Sequence, residues 1–295
     1  MIVDEPVRGS FPYLEHPWLF GLSGVDQLRL FIDGKLDAPP LTHLSGLVVE
    51  DPDPGSSTWA IPASPGWRTA AGMFGGGTLG FVADAALASA VFTTLAPGTA
   101  LLSSDLSMNF LEPPTPASER LTARGTTIHA GRRQGLSEAR VEDAHGRLLA
   151  HATSRCVLQP LPFEPPEAPA ELPPLSAPAF ETPDPYLRAT DGEVVSQAEW
   201  DSTSGLELVR RWHEGERPPA PVCSLLGLRP LDVAEGSVAF RMPASLWFCT
   251  GFGTFYGGAL TAFADAAINT AVMTTLPAGT SFGTLDLKGS TSSAP

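Results

Sequence analysis

An internal repeat constrains this chain more than any other feature. Set against itself at an offset of 181 residues, the 295-residue sequence matches without a gap from Ser23/Ser204 to Leu106/Leu287, and 33 of those 84 positions are identical. Shared positions include Gly24/Gly205, Gly46/Gly227, Pro62/Pro243, Phe74/Phe255, Gly76/Gly257 and Gly77/Gly258. The runs Ala83-Asp84-Ala85-Ala86 and Ala264-Asp265-Ala266-Ala267 match throughout. Self-similarity at a fixed period marks a repeated structural unit, so the chain reads as a duplicated domain.

The repeat divides the chain into an N-terminal segment (1–19), a first domain (20–158), a linker (159–200) and a second domain (201–295). Ten of the 30 prolines fall between Pro160 and Pro185, including Pro165-Pro166 and Pro173-Pro174. Such a segment favours extended, semi-rigid chain; a docking motif for a proline-binding partner is the other reading. At the offset of 181, the end of the first copy at Leu158 corresponds to about position 339. The final Gly289-Ser290-Thr291-Ser292-Ser293-Ala294-Pro295 does not resemble its counterpart Met108 to Pro114. The second copy is therefore expected to lack its last strands, as a truncated product or a short form completed by a partner chain.

Within the first copy, spacing predicts a short amphipathic helix over Val25 to Ile32, then strands near Leu44 to Glu50 and Ser57 to Ile61 around a turn at Pro52 to Gly55. A long helix opens at Gly75-Gly76-Gly77 and closes near Leu95, before Pro97-Gly98. Four strand-like runs follow, at Leu101 to Leu111, Arg120 to Ala130, Gly135 to Asp143 and Arg147 to Leu158. The long helix is apolar on nearly every side, which requires burial, and a curled antiparallel sheet is the cover available. The predicted class is α+β.

Asp84 and Asp265 lie in the middle of the two equivalent helices. A carboxyl there is costly to ionise and its pKa is pushed upward. It serves either as a structural hydrogen-bonding group or as a general base tuned toward neutral pH. Gly76-Gly77 and Gly257-Gly258 stand at the helix starts, where free backbone N–H groups and the positive end of the dipole favour negative charge. Glycine there permits a carbonyl to approach the backbone, or permits tight packing of the helix start. An oxyanion donor and a carboxylate two turns later are what acyl-transfer hydrolysis needs.

The run Gly76-Gly77, Asp84-Ala85-Ala86, Gly98-Thr99, Asp105-Leu106 and Asn109-Phe110-Leu111-Glu112-Pro113, followed by Gly131-Arg132-Arg133 and Gly146-Arg147-Leu148-Leu149-Ala150, resembles the hotdog-fold acyl-CoA thioesterases of the phenylacetyl-CoA thioesterase type. Their pattern is HGGxxxxLxD, then a strand ending in FxxP, then GRR. The resemblance spans most of residues 20–158 and the front of the second copy, and implies a double hotdog. It further implies that a glycine N–H polarises the thioester carbonyl while the helix Asp of the other unit activates water or attacks directly. Carried over, Gly77 pairs with Asp265 and Gly258 with Asp84.

Two departures separate the copies. The family histidine is Gly75 in the first and Tyr256 in the second, and one turn beyond the aspartates Ala88 stands against Asn269. These differences favour the Asp265, Asn269 and Gly77 site, with Gly76, Gly257 and Tyr256 as substrate contacts. Arg132 and Arg133 are candidates for the coenzyme A phosphates or are solvated strand-end charges. His129 is expected to be structural.

A net charge of -14 offers no basic footprint for nucleic acid or an anionic membrane. No stretch matches a ~20-residue apolar span. Cys156, Cys223 and Cys249 form no CxxC pair. The expectations are a cytoplasmic hydrolase acting on a coenzyme A thioester without metal or other cofactor, associating as a homo-oligomer of pseudo-dimers. A non-catalytic acyl-CoA or fatty-acyl binding protein is the alternative. A hotdog hydratase is disfavoured because no DxNPxHxD-like stretch is present.

Overall fold

The computed structural model describes residues 6–172, 175, 184–187 and 191–290. Met1 to Glu5, the Pro173-Pro174 pair with most of the later spacer, and Thr291 to Pro295 lie outside these residues. The helices are α1 (Pro12–Glu15), α2 (Gly24–Ile32), α3 (Pro40–Ser45), α4 (Gly76–Phe92), α5 (Gln197–Ser202), α6 (Gly205–His213), α7 (Pro221–Leu225) and α8 (Gly257–Met273). The strands are β1 (Val48–Asp53), β2 (Ser56–Pro62), β3 (Thr99–Ser103), β4 (Asp105–Phe110), β5 (Arg120–Ala130), β6 (Gln134–Asp143), β7 (Leu148–Pro160), β8 (Arg229–Ala234), β9 (Ser237–Arg241) and β10 (Asp286–Ser290). This is a mixed helix and antiparallel-sheet architecture.

The main sheet runs β1-β2-β5-β6-β7-β4-β10, with β3 also paired to β7, and β8-β9 form a separate hairpin. Helix α4 lies against β2, β5, β6 and β7. Burial follows from its composition, since 15 of its 17 residues are buried. The fit is closest at Gly125 on β5, where an added Cβ would fall 2.2 Å from the Ala86 carbonyl oxygen. Helix α8 has a narrower buried stripe, Gly258, Ala259, Ala262 and Asp265, a helical i, i+3/i+4 spacing that faces α4. Its Leu260, Ile268 and Val272 are exposed.

Elements recur at the sequence offset. Helices α2 and α6, α4 and α8, and the starts of β1 and β8, β2 and β9, and β4 and β10 all lie 181 residues apart. Ser23 and Ser204 cap α2 and α6 identically, each accepting from the N–H three residues on. Gly24 and Gly205 then abut the C-terminal carbonyls of α4 and α8, where a Cβ would lie 2.2 Å from the Phe92 oxygen and 1.9 Å from that of Met273. Strand β10 continues the sheet by pairing with β4, Leu287 opposite Met108.

Two expectations change. The strand placed over Leu44 to Glu50 begins at Val48, because Pro39-Pro40 starts α3 and Gly46, at φ +73°, ends it in the left-handed conformation. The run Leu101 to Leu111 is two strands, β3 and β4, broken where the Ser104 N–H bonds the Arg155 carbonyl. The start of the proline-rich segment docks on the first half, with Phe163 edge-on to Phe20 at 5.9 Å. Among the described residues no helix is long and apolar enough to cross a membrane.

Because Gly125 admits no side chain, Gly125→Ala should lower stability by about 1–3 kcal/mol through overpacking. Gly283→Ala, in open space, should leave the thermal midpoint unchanged. Parallel thermal melts of the two variants check this.

Candidate active site

Helices α4 and α8 pack antiparallel, so the first turn of each meets the middle of the other. A Cβ on Gly77 would lie 2.7 Å from the Ala262 Cα and 2.9 Å from the Asp265 Cβ, and one on Gly80 would lie 2.6 Å from the Thr261 methyl. Small residues therefore set the helix separation. The result is a bond between the halves: the Gly77 N–H donates to Asp265 Oδ2 at 2.8 Å.

That bond defines the electrostatics. Asp265 is 5% exposed, and burial raises its pKa, opposed by the Gly77 N–H and then by the Asn269 amide. Asn269 is held through its own oxygen, which accepts from Thr284 Oγ1 at 2.6 Å. Its amide favours the charged carboxylate without reaching hydrogen-bonding geometry at Oδ1. Asp265 Oδ1 is buried and has no protein partner. The adjacent Gly76 N–H, in the first turn of α4, has no acceptor among the described residues. One carboxylate oxygen and one helix-start donor are thus both uncommitted, which a folded protein seldom leaves without a purpose.

Gly76 and Asp265 both line a cavity of about 530 Å³, within the range of small-molecule sites. Gly75, Gly76 and Gly77 form one wall, Asp265 and Asn269 another, and Phe110, Trp200, Trp212 and Met273 give it an apolar body. Arg217 is its cation, 11% exposed at the side chain and 3.8 Å from Glu199.

The equivalent carboxyl is built differently. Asp84 is 6% exposed and faces the first turn of α8, where a Cβ on Gly257 would lie 2.9 Å from its Oδ2. Burial pushes its pKa up to about 6, with the Gly258 N–H pulling the other way. Tyr256 is buried and donates its hydroxyl to the Phe81 carbonyl. Arg132 and Arg133 stand exposed in the β5–β6 turn and do not line the cavity. His129 is exposed on β5.

Several cavity residues lie outside the family motif. Trp200 sits on α5, inside the segment read as linker, and Trp212 and Arg217 come from α6 and the loop after it. A signal for α5 exists in Ser196-Gln-Ala-Glu199, a capping pattern whose Ser196 Oγ accepts from the Glu199 N–H at 3.2 Å.

Residues 34–158 match the family model described as the acyl-CoA thioesterase C-terminal domain. That segment holds the glycine turn and Asp84, whereas Asp265 lies beyond it. No curated protein matches the chain. Among solved structures, AziG of S. sahachiroi is 27% identical, over 42% of this chain and 98% of that one, with a TM-score of 0.39. A thioesterase family protein from Silicibacter pomeroyi is 20% identical over 47% and 99% of the two chains, at 0.42. The E. coli PaaI protein of the phenylacetic acid degradation operon is 20% identical over 39% and 81%, at 0.35.

A carboxyl with a raised folded-state pKa binds more protons folded than unfolded between its two values, so stability falls as pH rises through that window. For Asp84 the window runs from 3.8 to about 6. Asp84→Asn should therefore gain on the wild type from about pH 4 upward, levelling above pH 6 at a difference on the order of 3 kcal/mol. Thermal unfolding across that range measures it.

Proposed function

We propose that the chain is an acyl-CoA thioesterase built as a tandem hotdog, and that it hydrolyses its substrate at the site formed by Asp265, Gly76 and Gly77. The observation that carries this reading is the buried, unpartnered Oδ1 of Asp265, in a residue that lines an apolar cavity together with the helix-start Gly76. The match of residues 34–158 to a thioesterase domain model supports it, as does the 181-residue recurrence of elements. No metal or resident cofactor enters the scheme.

The acyl chain occupies the apolar body of the cavity, and the thioester oxygen accepts from the Gly76 N–H, where the positive end of α4 stabilises developing negative charge. The Gly77 N–H keeps Asp265 ionised and oriented through Oδ2. Oδ1 takes a proton from water, whose oxygen bonds to the carbonyl carbon. The tetrahedral intermediate collapses with cleavage of the C–S bond, and the coenzyme A thiolate leaves with the proton that Asp265 returns. Direct attack by Oδ1 on the carbonyl carbon would instead break the C–S bond, expel the coenzyme A thiolate and give a mixed anhydride, which water then opens to the free acid and the Asp265 carboxylate. Arg217 provides a cation for the anionic part of the substrate in place of Arg132 and Arg133.

Asp265→Asn should reduce thiol release from a panel of acyl-CoAs by about 10²–10⁴-fold, while Asp84→Asn should hold within a few-fold of wild type. The wild-type kcat/KM should rise with pH through a value above the ordinary carboxylate range, because the working form is the anion. Acyl-CoA binding with no thiol release by the wild type would instead establish a binding protein.

A further inference from the structure

Two positions distinguish the halves at the sites themselves. Position 75 is glycine and its counterpart 256 is tyrosine; position 262 is alanine and its counterpart 81 is phenylalanine. Gly75 and Ala262 both line the cavity in front of Asp265. Phe81 and Tyr256 occupy the corresponding places in front of Asp84. Their rings meet edge to face with centroids 4.9 Å apart, and Phe81 packs in turn on Trp67, also at 4.9 Å. The Tyr256 ring lies directly over the helix start, since a Cβ on Gly258 would fall 2.4 Å from its Cε1. Its hydroxyl is tied to the Phe81 backbone carbonyl.

The two carboxyls are almost equally buried, 5% for Asp265 and 6% for Asp84. What separates them is the space in front of each. On one side two small residues leave room for an acyl group; on the other, two aromatic rings fill it. We infer that Phe81 and Tyr256 form a plug in a second, equivalent pocket, so that the chain carries one open and one latent site and Tyr256 is the residue that holds the latent one shut. A tyrosine at 256 does this better than a phenylalanine because the hydroxyl anchors the ring to α4. What the latent pocket would do once opened rests on the hydrolase reading of Asp265; whether it is plugged does not.

The test reads carboxyl access without any acyl-CoA. The intact protein is treated with a water-soluble carbodiimide and an amine near pH 6, and labelling of Asp265, Asp84 and Asp143 is followed by peptide mass spectrometry. Asp143 is 5% exposed and far in sequence from both sites, so it reports unfolding. In the wild type, Asp265 should label about tenfold or more faster than Asp84. Tyr256→Gly should raise Asp84 labelling by a similar factor with Asp143 unchanged, and Tyr256→Phe, which keeps the ring, should raise it far less. Equal labelling of Asp84 and Asp265 in the wild type overturns the inference, and that comparison needs no variant to fold. So does a Tyr256→Gly protein with Asp143 protected and Asp84 labelled no faster than before. Should the labelling come out as expected while no acyl-CoA releases thiol, the plug stands and the hydrolase reading falls.

Discussion

The rest of the structure depends on the close antiparallel contact of α4 with α8. Glycines at the start of each helix allow backbone to approach backbone, and that approach brings the N-terminal turn of one helix onto the mid-helix aspartate of the other. At Gly77 the contact becomes a 2.8 Å bond from a backbone N–H to Asp265 Oδ2. A carboxyl buried in an apolar helix is otherwise unfavourable, and the orphan donors of a helix start are the compensation at hand. Fold and candidate chemistry therefore rest on the same few atoms. Any side chain at position 77 would separate the helices and remove the electrostatic partner together.

One constraint operating twice does not yield two equal sites. Both aspartates are buried, raised in pKa by desolvation and opposed by a glycine N–H of the other helix. Their surroundings diverge at side chains the backbone contact leaves free to vary. Asn269, held by Thr284, adds polarity beside Asp265, where Ala88 adds none beside Asp84. Glycine and alanine leave a cavity before one carboxyl, and two aromatic rings fill the space before the other. The same helix pair borders a cavity at one end and a packed core at the other.

Much of this is legible in the residues. The apolar circumference of Leu79 to Phe92 requires burial, and α4 is covered by four strands. The helix stops short of Leu95 because the Thr93 and Thr94 hydroxyls bond back to the Ala90 and Val91 carbonyls, a local competition that periodicity does not register. The repeat offset and the family pattern together pair Gly77 with Asp265. Neither reveals that this N–H is already committed to the carboxylate, which leaves Gly76 as the available donor. Nor can spacing place Trp200, Trp212 and Arg217 at the cavity, since α6 reaches it by packing on α8 and the chain entering α5 is tied to the loop before α4 by the Val195 N–H on the Ala70 carbonyl. Arg132 and Arg133, candidates for the coenzyme A phosphates or else solvated strand-end charges, stand exposed in the β5–β6 turn and outside the cavity lining.

The most direct test is a crystal structure of the whole chain with a non-hydrolysable acyl-CoA analogue, in which a ketone or thioether replaces the thioester. A single working site predicts one analogue per chain, its acyl group in the cavity lined by Phe110 and Trp212 and its reacting centre within hydrogen-bonding reach of Gly76 and Asp265. An analogue seated against Asp84, or bound away from both helix starts, would contradict it.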